Sequence, residues 1–221
     1  MEKKKQLVLA TQNLGKIKEF ERLLQSANLE IDVLGLKDFP DMPDVEETGS
    51  TFAENSLLKA RAIAQFTGLP ALADDSGLCV DALGGDPGIY SARWSGVHGD
   101  DQANTSKVLA QLRELDALSQ SQSQSQSQLG RVDRSARFVC SVALVFPADH
   151  LQQGREIVHE ADIAGEIIDQ PIGTNGFGYD PIFRPTGYEL TTAQMDSQTK
   201  DRISHRGQAL AKILPQIKEL I

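Results

Sequence analysis

Cysteine is scarce in this 221-residue sequence: only Cys79 and Cys140 occur, with no CxxC pair and no metal-like spacing. That excludes a disulfide scaffold and a thiolate metal centre, and it points to a reducing compartment, the cytoplasm. Each Cys lies in an apolar run, where a thiol packs as a small hydrophobe. Positive charge is short as well, with 22 Lys and Arg against 31 Asp and Glu and a net charge of −9. Broad nucleic-acid binding needs a basic surface that displaces counterions, so nucleic acid is excluded as a partner. The one basic block, Lys3-Lys4-Lys5, reads as a solvated terminus. No apolar stretch suits a signal peptide or a membrane span, so a soluble protein with no membrane partner is expected. The phosphate-loop signature GxxxxGK followed by Ser or Thr is missing too.

What is present is an ordinary globular composition, 40% hydrophobic and 24% charged, long enough to bury a real core in one large domain or two joined lobes. Leu7-Val8-Leu9-Ala10 reads as a buried strand, followed by Leu14, Ile17, Phe20, Leu23 and Leu24 at helical spacing. Thr51 and Glu54 make a capping-box pattern for a second helix that ends near Gly68-Leu69-Pro70. Val108, Leu109, Leu112 and Leu115 predict a third helix. Residues 138–146 form a strong strand pattern and residues 156–163 a more exposed one. A last amphipathic helix runs from about Ser204, with Leu210, Ile213, Leu214 and Ile217 on one face. Helices and strands intermingle, so a mixed α/β fold is expected. The Ser/Gln tract at 119–128 holds no apolar residue and reads as an exposed, mobile insertion within it.

Five polar constellations stand out. Thr11-Gln12-Asn13-Leu14-Gly15-Lys16 lies where a strand meets a helix, where backbone N–H groups and the positive helix end favour an anion and Lys16 adds charge. Glu46-Glu47-Thr48-Gly49 precedes the second helix, on which Asn55 and Lys59 share a face. Asp74-Asp75-Ser76-Gly77 leaves an apolar segment, and its adjacent carboxylates repel unless a cation or a proton relieves them. A plain turn is the competing reading of that tetrapeptide. Gly173 to Asp180 alternates glycine with Phe177 and Tyr179, which suits close backbone approach to a flat base; a strained turn with core aromatics competes. Finally, Lys200, Ser204, His205 and Arg206 gather donors at the last helix start. His-Arg there opposes the helix dipole, so a compensating anion or acceptor is expected.

In this order and over nearly the whole length, these segments resemble the inosine triphosphate pyrophosphatase family, the Ham1-like enzymes. The resemblance implies a two-lobed mixed α/β fold around a long central mixed sheet, a single domain over residues 1–221, and a homodimer. It implies hydrolysis of purine nucleoside triphosphates with non-standard bases (inosine, deoxyinosine, xanthosine) to the monophosphate and pyrophosphate, with Mg2+. It puts the triphosphate on the loop from Thr11 to Lys16 (Thr11, Gln12, Asn13, Leu14, Gly15, Lys16) and on Lys59, and the metal on Glu46 and Asp75. Asp75 is then catalytic and Ser76 a substrate contact, while Phe177, Gly178, Tyr179, Asp180, Lys200, His205 and Arg206 receive the nucleotide's base.

Lys16 and Lys59 would balance phosphate charge, with Asp75 either the general base or the group orienting the attacking water. Donors from Lys200, His205 and Arg206 would suit a 6-oxo purine and mismatch a 6-amino one. Two other classes are weighed. A regulatory nucleotide binder has no need of Glu46 and Asp75 together, and a nucleotidyl- or phosphotransferase needs a second-substrate motif that is not seen.

Overall fold

The computed structural model describes residues 5–27, 31–122, 131–149 and 154–220. Strand β1 (Lys5–Leu9) leads to helix α1 (Leu14–Ser26), then β2 (Ile31–Gly35), α2 (Phe52–Thr67) and β3 (Ala71–Val80). Helix α3 (Asp101–Gln122), strands β4 (Ser135–Val145), β5 (Glu156–Ile167) and β6 (Phe183–Pro185), and helices α4 (Ser197–Ile203) and α5 (His205–Leu220) follow. The sheet order is β2-β1-β3-β4-β5-β6. β1 runs parallel to β2 and β3, with Val8 opposite Ala71 and Leu9 opposite Leu72, whereas β5 and β6 are antiparallel. The expected mixed α/β fold is therefore the observed one. No helix among the described residues is long and apolar enough to cross a membrane.

The chain divides into two compact units. The first comprises residues 1–76, 140–162 and 201–221, the second 77–139 and 163–200. In the first, strand alternation sorts the core. Leu7, Leu9, Leu72, Val142 and Leu144 pack with Phe20 and Leu24 of α1 and Leu210, Ile213 and Ile217 of α5. Their neighbours Val8, Ala10, Ala71, Ala73, Ala143 and Val145 pack with Ala60, Ile63 and Ala64 of α2. Strands covered on both faces read as continuous apolar runs, which is why the 7–10 and 138–146 segments are so plain in the sequence. In the second unit Val108, Leu109 and Leu112 of α3 pack with Leu78, Val80, Phe138, Tyr179 and Phe183.

Helix ends follow local chemistry. The Thr51 hydroxyl accepts the Glu54 N–H at 3.1 Å, and the Glu54 carboxylate reaches back to the N–H and hydroxyl of Ser50, both 2.7 Å. Gly68 closes α2 in the left-handed conformation that a Cβ disfavours. Ser204 caps α5, its hydroxyl accepting the Gly207 N–H at 3.0 Å.

Two expectations are corrected. Asp74-Asp75-Ser76-Gly77 is no turn, since β3 runs straight through it. Opposite pointing of neighbouring side chains separates the two carboxylates, and Lys16, Arg206 and Lys59 supply the cations expected to relieve them. Helix α3 extends through Gln122, so the first four residues of the Ser/Gln tract are helical rather than loop; residues 123–128 lie outside the described residues.

Candidate active site

The alternation along β3 sends two carboxylates to two sets of partners. Asp74 lies on the Leu72 side, toward α1 and α5. It is almost fully buried, and its Oδ2 meets Lys16 Nζ at 3.0 Å, Arg206 Nη2 at 3.1 Å and the Ser76 hydroxyl at 3.2 Å. Arg206 is itself buried, and besides Asp74 it pairs with Glu19 of α1 and donates to Ser76 Oγ at 2.7 Å. The anion expected opposite the His-Arg helix start is therefore Glu19 together with Asp74. Burial pushes the Asp74 carboxyl up, but Lys16, Arg206 and Lys59 more than offset it and hold it well below the usual carboxylate range.

Asp75 lies on the other face, toward α2. Asn55 Nδ2 donates to its Oδ2 at 3.1 Å, and Lys59 Nζ stands 3.6 Å from its Oδ1. Lys59 also donates to Glu47 Oε1 at 2.5 Å. Asn55 is oriented from behind, its Oδ1 accepting the Gly49 N–H at 2.8 Å. A Cβ on Gly49 would lie 2.7 Å from that oxygen, so only glycine lets the loop approach so closely. Burial pushes the Asp75 carboxyl up, Lys59 pulls it down and Glu47 pushes it up again, leaving it raised. The two Asp neighbours thus shift in opposite directions.

Asp75 and Glu47 converge on one cation, the Lys59 ammonium. Two acidic groups around one cationic position suit a hard divalent ion whose remaining ligands are phosphate oxygens and water. Among the described residues no three His, Cys, Asp or Glu side chains cluster into a self-sufficient metal site. An ion shared with the substrate's phosphates needs only one or two protein carboxylates.

The second unit holds a separate constellation. Asp180 Oδ2 accepts from Lys200 Nζ at 2.5 Å and from the Phe177 N–H at 2.8 Å, and the Thr192 hydroxyl donates to Oδ1 at 2.8 Å. Lys200 Nζ also lies 5.0 Å from the centre of the Phe177 ring. Gly176 has φ +76°, and a Cβ there would fall 2.0 Å from Asp180 Oδ2, so this turn is closed to any other residue. The Tyr179 hydroxyl donates to the Ser91 carbonyl at 2.8 Å. Phe177 and Gly178 remain half-buried, while Tyr179, Asp180 and Lys200 are buried.

The profile of the Ham1 family matches residues 7–216. The chain belongs to the Ham1 family. It is similar to the dITP/XTP pyrophosphatase of Streptomyces avermitilis, 49% identical over 215 residues that make up 97% of this chain and 98% of the relative. A HAM1 protein from Coxiella burnetii superposes with a TM-score of 0.80 at 41% identity, over 97% of this chain and 99% of that one. The nucleoside-triphosphatase / dITP/XTP pyrophosphatase of Mycobacterium abscessus gives 0.69 at 44% identity, covering 96% and 99%.

Within this Ham1 chain the structure gathers Lys16, Lys59, Asp75, Ser76, His205 and Arg206 in the first unit, and Phe177, Gly178, Tyr179, Asp180 and Lys200 in the second. Thr11 is half-buried, while Gln12, Asn13 and Leu14 are exposed ahead of α1, which Gly15 and Lys16 enter. The backbone groups expected to be open to an anion are partly taken: Asn13 Oδ1 accepts the N–H groups of Gly15 at 2.9 Å and Lys16 at 3.1 Å, as a good N-cap does. Glu46 is exposed beside Asp44, Ala62 and Phe66, and among the described residues no hydrogen bond or ion pair links it to Asp75. Its neighbour Glu47 is the one that reaches Lys59. Sequence reasoning left Glu19, Glu47 and Thr192 out of the site. The four-residue spacing of Asn55 and Lys59 was the signal for Asn55. Nothing in the sequence marked Glu19 or Thr192.

Proposed function

We propose that this Ham1 protein hydrolyses purine nucleoside triphosphates carrying non-standard bases, of the dITP and XTP type, to the monophosphate and pyrophosphate. The observation that carries the reading is the split of Asp74 and Asp75 on β3. One carboxylate is locked into an ion-pair network with Lys16 and Arg206, while the next is buried, raised in pKa and held beside Lys59, which Glu47 also engages. A carboxylate of raised pKa is a better proton acceptor at neutral pH. In this reading Asp75 takes the proton of the attacking water, and Asn55 and Lys59 fix its two oxygens. Lys16, Lys59 and the loop from Thr11 to Gly15 receive the phosphates, with Ser76 as a further contact.

Asp75 and the acidic pair Glu46-Glu47 would hold Mg2+, which when bound neutralises phosphate charge and polarises the scissile bond. Phe177, Gly178, Tyr179, Asp180 and Lys200 receive the base. His205 and Arg206 complete the proposed donor set for a 6-oxo group, Arg206 by giving up bonds it makes to Ser76 and Asp74. A homodimer in the cytoplasm belongs to the same reading, and light scattering of the purified protein checks the dimer.

Pyrophosphate release from a panel of nucleoside triphosphates, with magnesium and then with excess chelator, tests the reading. We expect turnover of inosine and xanthosine forms that stops with chelator and returns with magnesium. Asp75→Asn keeps the shape, removes the charge and should abolish turnover in a folded protein. Near-normal turnover by that variant at saturating magnesium would refute the role given to Asp75. Comparing the magnesium dependence of Glu46→Gln and Glu47→Gln identifies which of the pair is the ligand.

A further inference from the structure

Two adjacent aspartates open α3, and they do different work. Asp100 caps the helix: its Oδ1 accepts the Ala103 N–H at 2.9 Å, and its carbonyl accepts the Asn104 N–H at 2.9 Å. With the cap supplied, the Asp101 carboxylate is free to reach outward. Its Oδ2 accepts the N–H of Gly178, 77 residues away in sequence, at 2.7 Å. One turn along the same helix, the Thr105 hydroxyl meets the Gly178 carbonyl at 3.4 Å.

These two bonds grip the peptide planes on both sides of Gly178, one shared with Phe177 and the other with Tyr179. Gly178 sits at φ +62°, and a Cβ there would meet nothing within 4 Å. Crowding therefore does not hold this residue in place; the helix does. The orientation of Phe177, whose ring carries the Lys200 ammonium, and the path into buried Asp180 both depend on those planes. Burial, and then the Asp101 carboxylate, push the Tyr179 hydroxyl up from its ordinary value.

We propose that Asp101, assisted by Thr105, is a positioning residue for base selection, holding the Phe177–Asp180 loop in the geometry that distinguishes one purine from another. The proposal rests on the reading of this loop and Lys200 as the base-recognition element. Asp101 belongs to none of the groups assigned to the phosphates or the metal, so its loss should act on recognition rather than on the chemical step.

The test compares Asp101→Ala, Asp101→Asn and Lys200→Ala in kcat and KM for inosine and adenosine triphosphates, with thermal unfolding alongside. A hydrogen bond to a charged group near the surface supports a KM for inosine triphosphate raised about fivefold in Asp101→Ala, with kcat within about twofold. The inosine-over-adenosine ratio of kcat/KM should fall by a similar factor. Asp101→Asn keeps an acceptor oxygen in place and should hold that ratio within about twofold of wild type. If Lys200→Ala narrows the ratio but Asp101→Ala leaves it unchanged, Asp101 does not position the loop. If Asp101→Asn loses selectivity as fully as Asp101→Ala, the carboxylate acts through its charge, and the proposal fails. An unchanged ratio in Lys200→Ala overturns the base-site reading itself, and this proposal with it.

Discussion

Asp74→Asn is the sharpest test of the network in the first unit. Lys16, Arg206, Glu19 and Asp74 carry two positive and two negative charges, and the substitution leaves a net positive charge in a buried place. Removing one partner of a buried ion pair costs about 3–5 kcal/mol. The low end applies here, because the Lys16 side chain is 15% exposed and can turn to water, and Arg206 keeps Glu19. At about 3 kcal/mol and about 2–4 °C per kcal/mol for a chain of this size, Tm should fall by about 6–12 °C at pH 7. The pH dependence adds a second constraint. Lys16, Arg206 and Lys59 outweigh burial and hold the folded-state pKa of Asp74 below its unfolded value, so the unfolded state takes up a proton first as pH falls. Its contribution is fully present above the unfolded value of about 4 and is lost only as pH drops further, toward the folded value. Thermal unfolding of wild type and variant at pH 7, 5 and 3.5 should show a constant gap between the first two and a smaller one at the third. Equal stability at pH 7, or a gap that closes between pH 7 and 5, would refute this account of Asp74.

Thr192→Val removes the hydroxyl that serves Asp180 Oδ1 and leaves a buried carboxylate oxygen short of a donor; a KM for inosine triphosphate raised about threefold or more, with kcat nearly constant, is expected from steady-state kinetics. Joining Leu118 to Leu129 removes the Ser/Gln tract and the helical end of α3 within it, and should leave turnover within about twofold, since the tract contributes no apolar side chain to a core. Sequence alone expects Arg206→Ala to narrow the inosine-over-adenosine ratio. The buried guanidinium adds a lower Tm to that expectation, and an equal loss of rate on both substrates would take Arg206 out of the donor set.

Much of this was legible from residue order, and the rest was not, for physical reasons. Buried strands and helix caps are local, so the 7–10 and 138–146 segments, Thr51 and Gly68 emerge from pattern alone. A turn competes as the reading of Asp74-Asp75-Ser76-Gly77 because charge inside an apolar strand is costly unless partners exist. Those partners, Lys16, Lys59, Asn55 and Arg206, come from three helices, the farthest 132 residues away. Glu19 is hidden for the same reason: on α1 it is one of two acidic residues, and only Arg206, 187 residues later, gives it meaning. Glu46 and Glu47 are equivalent in composition, and only the direction of the backbone at that point turns Glu47 toward Lys59. Thr192 and Asp101 bear on the glycine-rich loop through tertiary hydrogen bonds that no spacing rule announces.

The opposite shifts of two neighbouring carboxylates also bear on which of them performs the chemistry. Asp74 is held low by direct contact with Lys16 and Arg206, and a carboxylate so stabilised is a poor proton acceptor. Asp75 shares the strand and is also largely buried, but its lysine stands farther off at 3.6 Å and is shared with Glu47, so burial prevails and the group is raised. Environments that push two acids apart in this way separate a permanently ionised anchor from a group able to exchange a proton. The separation requires that the two side chains face different helices, and strand geometry supplies it: Lys16 and Arg206 touch Asp74, whereas Lys59 and Asn55 touch Asp75. In the proposed reaction, Asp75 rather than Asp74 is therefore the carboxylate whose surroundings leave it able to exchange a proton.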